Sequence, residues 1–150
     1  VGDLVVTDTS CLIALDRIGR LDLLPALFTV RAPHAVAEEF GRRPGWLHIE
    51  RVPEEAVRPL LKILDRGEAE AIALVRTYPG ARLLVDEERG RTVARRFGVP
   101  VTGTAGVLLA AKKEGLIPAV RPMLDALIEK HEFRLSQSLR DEILRAAGES

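Results

Sequence analysis

Hydrophobic positions along this chain follow two patterns in alternation. Short runs rich in Val, Leu and Ile read as strands at Leu4–Thr7, Phe28–Ala32, Leu47–Val52, Arg82–Val85 and Val99–Thr102. Between them apolar residues recur at helical spacing. That spacing predicts helices over Ser10–Ile18, Leu21–Leu27, Pro33–Phe40, Glu54–Leu64, Glu68–Thr77, Arg89–Phe97, Thr104–Lys113, Pro122–His131 and Ser138–Ala147. The clearest is Glu54–Leu64, where Val57, Leu60, Leu61 and Leu64 sit at i, i+3, i+4 and i+7. Gly19, Gly98 and Gly115 stop helices, Gly67 separates two of them, and "GRRPG" at 41–45 is a turn.

Strands separated by helices imply parallel βαβ units. The expectation is an α/β fold: one three-layer α/β/α domain over residues 1–150 with a central parallel sheet. Ligands of such sheets gather at the carboxyl ends of the strands. Acids directly after strands therefore matter most.

Composition narrows the picture. Hydrophobic residues make up 47 % of the chain and aromatic ones 4 %, so the core is aliphatic. Lys and Arg total 22 and Asp and Glu total 22, which argues against a generic polyanion binder relying on bulk positive charge. Cys11 is the single cysteine, in an apolar helix, so an internal disulfide and a thiolate zinc cluster are excluded. It reads as a small core residue in a reducing compartment. No basic segment followed by an apolar stretch marks a signal peptide, and no apolar run reaches the ~20 residues that span a bilayer. A cytoplasmic protein without a membrane partner is expected.

Four acids stand at informative places. Asp8 follows the first strand and Asp86 the fourth, so both project from the carboxyl edge of the sheet. In the helix Pro33–Phe40, Glu39 lies roughly 80° from the centre of the apolar stripe and Glu38 falls on the other side, so Glu39 faces inward. In "RGEAEAIALV", Glu68 lies roughly 40° from the stripe centre and Glu70 about 120° away. Each acid also has a purely structural role open to it. Asp8 and Asp86 suit N-caps, Glu68 suits a helix first turn, and Glu39 suits a solvated face. As a group, four carboxylates at one sheet edge repel and raise one another's pKa, which a divalent cation relieves. Oxygen donors without His or Cys point to Mg²⁺ or Mn²⁺ rather than zinc. His34, His48 and His131 show no ligand spacing.

Other chemistries are missing. There is no P-loop, no G-x-G-x-x-G after a strand and no G-x-S-x-G elbow. "DTS" has Ser10 where a DxD phosphatase needs its second Asp. "VTGTAGVLLAA" offers a Gly-bearing turn before a helix, which either cradles a phosphate oxygen near Thr104 or is a tight turn capped by Thr104. Arg89 and Arg96 flank the buried stripe of the helix after Asp86 and are candidate phosphate contacts. Arg91 and Arg95 read as a solvated face.

These residues carry a resemblance. "VVTDTSCLIAL", "APHAVAEEF", "GEAEAIAL", "LLVDEERGRTVARRFGVPVTGTAGVLLAAKKEG" and "ILRAAGES" resemble, in order and spacing, PIN-domain ribonucleases, in particular the toxins of toxin–antitoxin pairs. The resemblance implies a PIN-like fold with an acidic Mg²⁺ or Mn²⁺ pocket formed by Asp8, Glu39, Glu68 and Asp86, with Ser10 or Thr9 supporting Asp8. It implies cleavage of single-stranded or looped RNA to 5′-phosphate and 3′-hydroxyl ends, and a small antitoxin protein as partner. Many such proteins carry Asp where this chain has the longer Glu68. A homodimer is also expected, with the apolar face of Glu54–Leu64 as one candidate surface. The rival readings are a catalytically weak binding or dimerisation module and a metal-dependent hydrolase of small phosphoesters.

Overall fold

The computed structural model describes residues 2–130 and 133–149. The strands are β1 (Leu4–Thr7), β2 (Thr29–Pro33), β3 (Leu47–Glu50), β4 (Arg82–Leu84) and β5 (Val101–Thr102). All neighbouring strands pair in parallel, in the order β3-β2-β1-β4-β5. Nine α-helices among the described residues connect and follow them: α1 (Thr9–Arg17), α2 (Leu23–Leu27), α3 (His34–Phe40), α4 (Glu54–Val57), α5 (Arg66–Val75), α6 (Glu88–Arg96), α7 (Thr104–Lys113), α8 (Arg121–Lys130) and α9 (Gln137–Ala146). The helix expected over Pro122–His131 is α8, and His131 lies outside the described residues.

Alternation along the strands sorts the core into two layers, because successive side chains point to opposite faces. Val5 and Leu84 face one layer, built with Leu12, Leu15, Leu108, Leu124 and Leu127 from α1, α7 and α8. Val6, Leu83 and Val85 face the other, built with Ile72 and Leu74 of α5 and Val93 of α6. The result is the expected three-layer α/β/α arrangement around a parallel sheet.

Two helical readings are corrected. Glu54–Leu64 is not one α-helix: α4 stops at Val57 and a 3-10 turn covers Arg58–Lys62. Pro59 is the cause, since it lacks an N–H and its ring clashes with the preceding turn. The apolar side of this segment, Val57, Leu60 and Leu64, is buried in the chain's own core, so it does not offer the expected dimer face. Gly67 does not break a helix either. It lies in the first turn of α5, which Asp65 caps by accepting from the Glu68 N–H at 2.8 Å.

The order β3-β2-β1-β4-β5 has one switch point. The chain runs outward from β1 through β2 to β3, then returns to the other side of β1 to lay down β4 and β5. The crevice outside the carboxyl ends of β1 and β4 is where this architecture binds ligands.

Candidate active site

Asp8 and Asp86 stand on either side of that crevice. Thr7 pairs with Leu84 in the β1–β4 register, and the Asp8 N–H donates to the Leu84 carbonyl at 2.9 Å. β1 gives way to α1 at Asp8, whose Oδ1 accepts the Thr9 N–H at 2.6 Å as N-cap. Its Oδ2 receives only a long contact, the Ser10 hydroxyl at 3.4 Å. The same Ser10 oxygen accepts the Asp86 N–H at 3.0 Å. Ser10 thus ties the two strand-end acids together rather than capping α1.

Asp86 is seated at the start of α7. Thr104, fully buried, donates its N–H to Asp86 Oδ1 at 2.7 Å and its hydroxyl to Oδ2 at 2.6 Å. The helix dipole favours a carboxylate there. Of the two readings of "VTGTAG", phosphate cradle or tight turn, the geometry favours neither outright: the Thr104 N–H holds the Asp86 carboxylate. Gly103 makes the seat available, since a β-carbon at this position would lie 2.7 Å from Asp86 Oδ1.

Glu39 and Glu68 come from the α3 and α5 side. The Thr9 hydroxyl donates to Glu39 Oε1 at 2.6 Å. Its neighbour Glu38 turns away and pairs with His34 at 2.6 Å. A β-carbon on Gly67 would lie 3.1 Å from Glu39 Oε1, so α5 closes on α3 through a residue without a side chain. Glu68 is buried, accepts the Asp65 N–H at 3.2 Å to complete a capping box, and is paired by Arg89 Nη2 at 2.9 Å.

Burial pushes the Asp8 carboxyl up to about 7 from its ordinary 3.8, against the pull of the Thr9 N–H bond, and the charges of Glu68, Asp65 and Glu39 add to the rise. The three acids therefore act on Asp8 through space. Behind them lies Cys11, fully buried; burial and the Asp86 charge push its thiol well above its ordinary range, so it is an inert core residue.

Several positions depart from the sequence reading. Arg89 sits at the site, but on Glu68. Arg96 lies in the last turn of α6, about 12 Å along the helix from its start beside the acids, so it is not brought to them. Glu70, expected 120° from the buried stripe, is buried: it accepts the Ala35 N–H and an Arg66 N–H, each at 3.1 Å, and so caps the start of α3. Helix α5 has no solvent face, since every residue from Gly67 to Val75 is buried, and a one-stripe wheel misplaces its acids. Asp65 was missed, although the D-x-x-E spacing of Asp65 and Glu68 is a capping-box signal. Arg91 was missed as well; it lies half-buried beside Gly103, not on a solvated face.

The donor chemistry fits a hard divalent cation: carboxylate oxygens only, with Asp8 pushed up to about 7 by burial first and by its acidic neighbours after that. In the conformation described, however, Arg89 holds Glu68 and Thr104 holds both oxygens of Asp86. Among the described residues no three Asp, Glu, His or Cys side chains converge on a single cation position. Arg89, which holds one Glu68 oxygen, is itself 60 % exposed.

The parallel sheet carries paired acids at its switch point, Asp8 and Asp86 joined through Ser10. The family model described as a PIN domain matches residues 4–149, and the chain belongs to the PIN-domain family. PIN domains are generally nucleases, act on nucleic acid and generally use divalent metals. No curated protein and no solved structure matches the chain significantly. Among the described residues no helix is long and apolar enough to cross a membrane.

Proposed function

We propose that the chain is a Mg²⁺- or Mn²⁺-dependent endoribonuclease that hydrolyses RNA phosphodiester bonds, with Asp8, Glu39, Glu68 and Asp86 as its metal-holding acids. One observation carries the reading: Asp8, at the switch point, is lifted to about 7 by burial first and then by the surrounding carboxylates. A buried acid under that load gains most from a cation.

When bound, the cation supplies Lewis-acid polarisation of the phosphodiester and a more acidic attacking water. The chain's own residues set the geometry. Thr104 fixes the Asp86 carboxylate through two bonds. Ser10 couples Asp86 to Asp8, so the acids from β1 and β4 keep their separation. Thr9 orients Glu39. Arg89 neutralises Glu68 and, once displaced, is placed to meet a substrate phosphate.

The test is a parallel assay on a structured RNA and on p-nitrophenyl phosphate with Mg²⁺ or Mn²⁺. The expected outcome is RNA cut to 5′-phosphate and 3′-hydroxyl ends, abolished by EDTA and by Asp8→Asn. Hydrolysis of the ester alone would overturn the ribonuclease reading. The toxin role belongs to the same proposal. It is supported by the sequence resemblance and is checked by whether the adjacent upstream gene encodes a protein below about 100 residues that blocks the activity, a size at which chains often depend on a partner for stability.

A further inference from the structure

Arg91 is the guanidinium that the site leaves without an acceptor. It lies on α6 between the buried Gly90 and the buried Val93 and Ala94. Its Nε is buried and has no hydrogen-bond partner, and among the described residues the side chain makes no ion pair. Buried donors are almost always satisfied, and an exception calls for a missing partner. The other buried, unpartnered Nε belongs to Arg31, but that guanidinium is ion-paired with Glu50 and stacks 5.2 Å from the Tyr78 ring centre. Arg89, two residues back on α6, is taken by Glu68. Arg91 alone of the three has no anion.

Its position says where the anion comes from. The point a Gly103 β-carbon would occupy is 3.9 Å from Arg91 Nη1 and 2.7 Å from Asp86 Oδ1. The guanidinium therefore lies beside Asp86, on the β5–α7 side, on the face of α6 away from Arg89. Asp86 is not its partner: the Asp86 carboxylate bonds to Thr104, and among the described residues no ion pair joins it to Arg91.

We propose that Arg91 is a substrate-positioning residue that binds a phosphodiester oxygen of the RNA strand next to the phosphate at the acids. The inference rests on the ribonuclease reading. The planar fork of an arginine suits two phosphate oxygens at once, and a phosphate is the acceptor a nucleic-acid strand brings to such a place.

The test measures binding of a short single-stranded oligoribonucleotide by fluorescence anisotropy over a salt series in EDTA, together with steady-state cleavage in Mg²⁺. Each phosphate contact on a single strand contributes about 0.7 to the slope of log K against log salt. Arg91→Gln is expected to lower that slope by about 0.7, weaken binding roughly fivefold to tenfold and raise KM with little change in kcat. Arg91→Lys restores part of the binding, since it keeps the charge and loses the fork. Arg96→Gln, at the far end of α6, leaves slope and KM unchanged. An unchanged slope for Arg91→Gln overturns the proposal, whatever happens to its melting temperature or kcat. A wild type that binds and cuts no RNA removes the ribonuclease reading and this proposal with it, a result distinct from normal wild-type binding with an unaltered Arg91→Gln slope.

Discussion

Arg89 and Glu68 form an ion pair 2.9 Å long between α6 and α5, with the acid 4 % exposed and the base 60 % exposed. The asymmetry decides its role. Glu68 is fixed by the capping box with Asp65, whereas Arg89 is an exposed counter-charge on one of its oxygens. Arg89→Gln is expected to bind Mn²⁺ more tightly than the wild type by calorimetry, because its side chain no longer competes for Glu68. In EDTA the same variant is expected to melt at a lower temperature, because Glu68 stays buried without its counter-charge. Unchanged Mn²⁺ affinity would show that Arg89 does not compete for the acid.

Asp8 makes the metal-free protein sensitive to alkaline pH. Its folded carboxyl titrates at about 7, above the ordinary 3.8, so the folded chain holds this proton more tightly than the unfolded chain does. The contribution to stability is fully present below about pH 4 and is lost as pH rises through about 7. Asp8→Asn removes the titration and keeps the cap on Thr9. Thermal melts in EDTA are expected to show the variant above the wild type near pH 8, with the gap closing towards pH 4. A gap of constant size across that range would contradict the assignment.

Thr104 is expected to matter through Asp86 alone. Thr104→Val removes the 2.6 Å hydroxyl bond to the carboxylate and keeps the shape of a fully buried side chain. A lost hydrogen bond to a charged group costs about 1.5–3 kcal/mol, so the variant is expected to lose that much stability by urea denaturation and most of its nuclease activity. Thr104→Ser, which keeps the hydroxyl, is expected to retain activity. Equal losses in the two variants would place the role in packing.

At the opposite end of the chain, Glu149 fastens the C-terminal segment. Its carboxylate accepts the Val120 N–H at 2.7 Å, the Arg121 N–H at 3.0 Å and Lys112 Nζ at 3.0 Å. The Val120 bond leads the effects that hold its carboxyl down at about 2, against an ordinary 4.5. Here the sign is opposite to that of Asp8: the stabilisation is present above about pH 4.5 and is lost as pH falls towards 2. Glu149→Gln is expected to melt lower than the wild type at neutral pH and to converge with it near pH 2. Hydrogen exchange of the Val120 and Arg121 amides reports the same loss locally.

Much of this was legible from the residues. Short aliphatic runs located all five strands, in a sheet buried on both faces, and helical periodicity located most helix bodies, because burial on one face leaves a periodic trace. The two strand-end acids followed from topology alone, since Asp8 comes directly after β1 and Asp86 two residues past the end of β4. Glu39 was separable from Glu38 because α3 has one buried face. The same wheel failed at Glu70 because α5 is buried all round, which periodicity does not signal. Pro59 was overlooked within a strong apolar pattern, and local sterics won over the pattern. The partners of Thr104 and Arg89 were not readable, since each depends on a long-range meeting of side chains from different elements. Arg91 went unseen for the same reason: its missing acceptor is a property of the folded surroundings, not of its neighbours in sequence.

The most direct test of the account is a calorimetric Mn²⁺ titration of the wild type against Asp8→Asn at about pH 8, where Asp8 is ionised. The account predicts saturable binding by the wild type and its loss in Asp8→Asn, while both proteins remain folded by circular dichroism. Equal Mn²⁺ binding by the two proteins, or none by either, would contradict the assignment of the β1–β4 crevice as a metal-dependent active site.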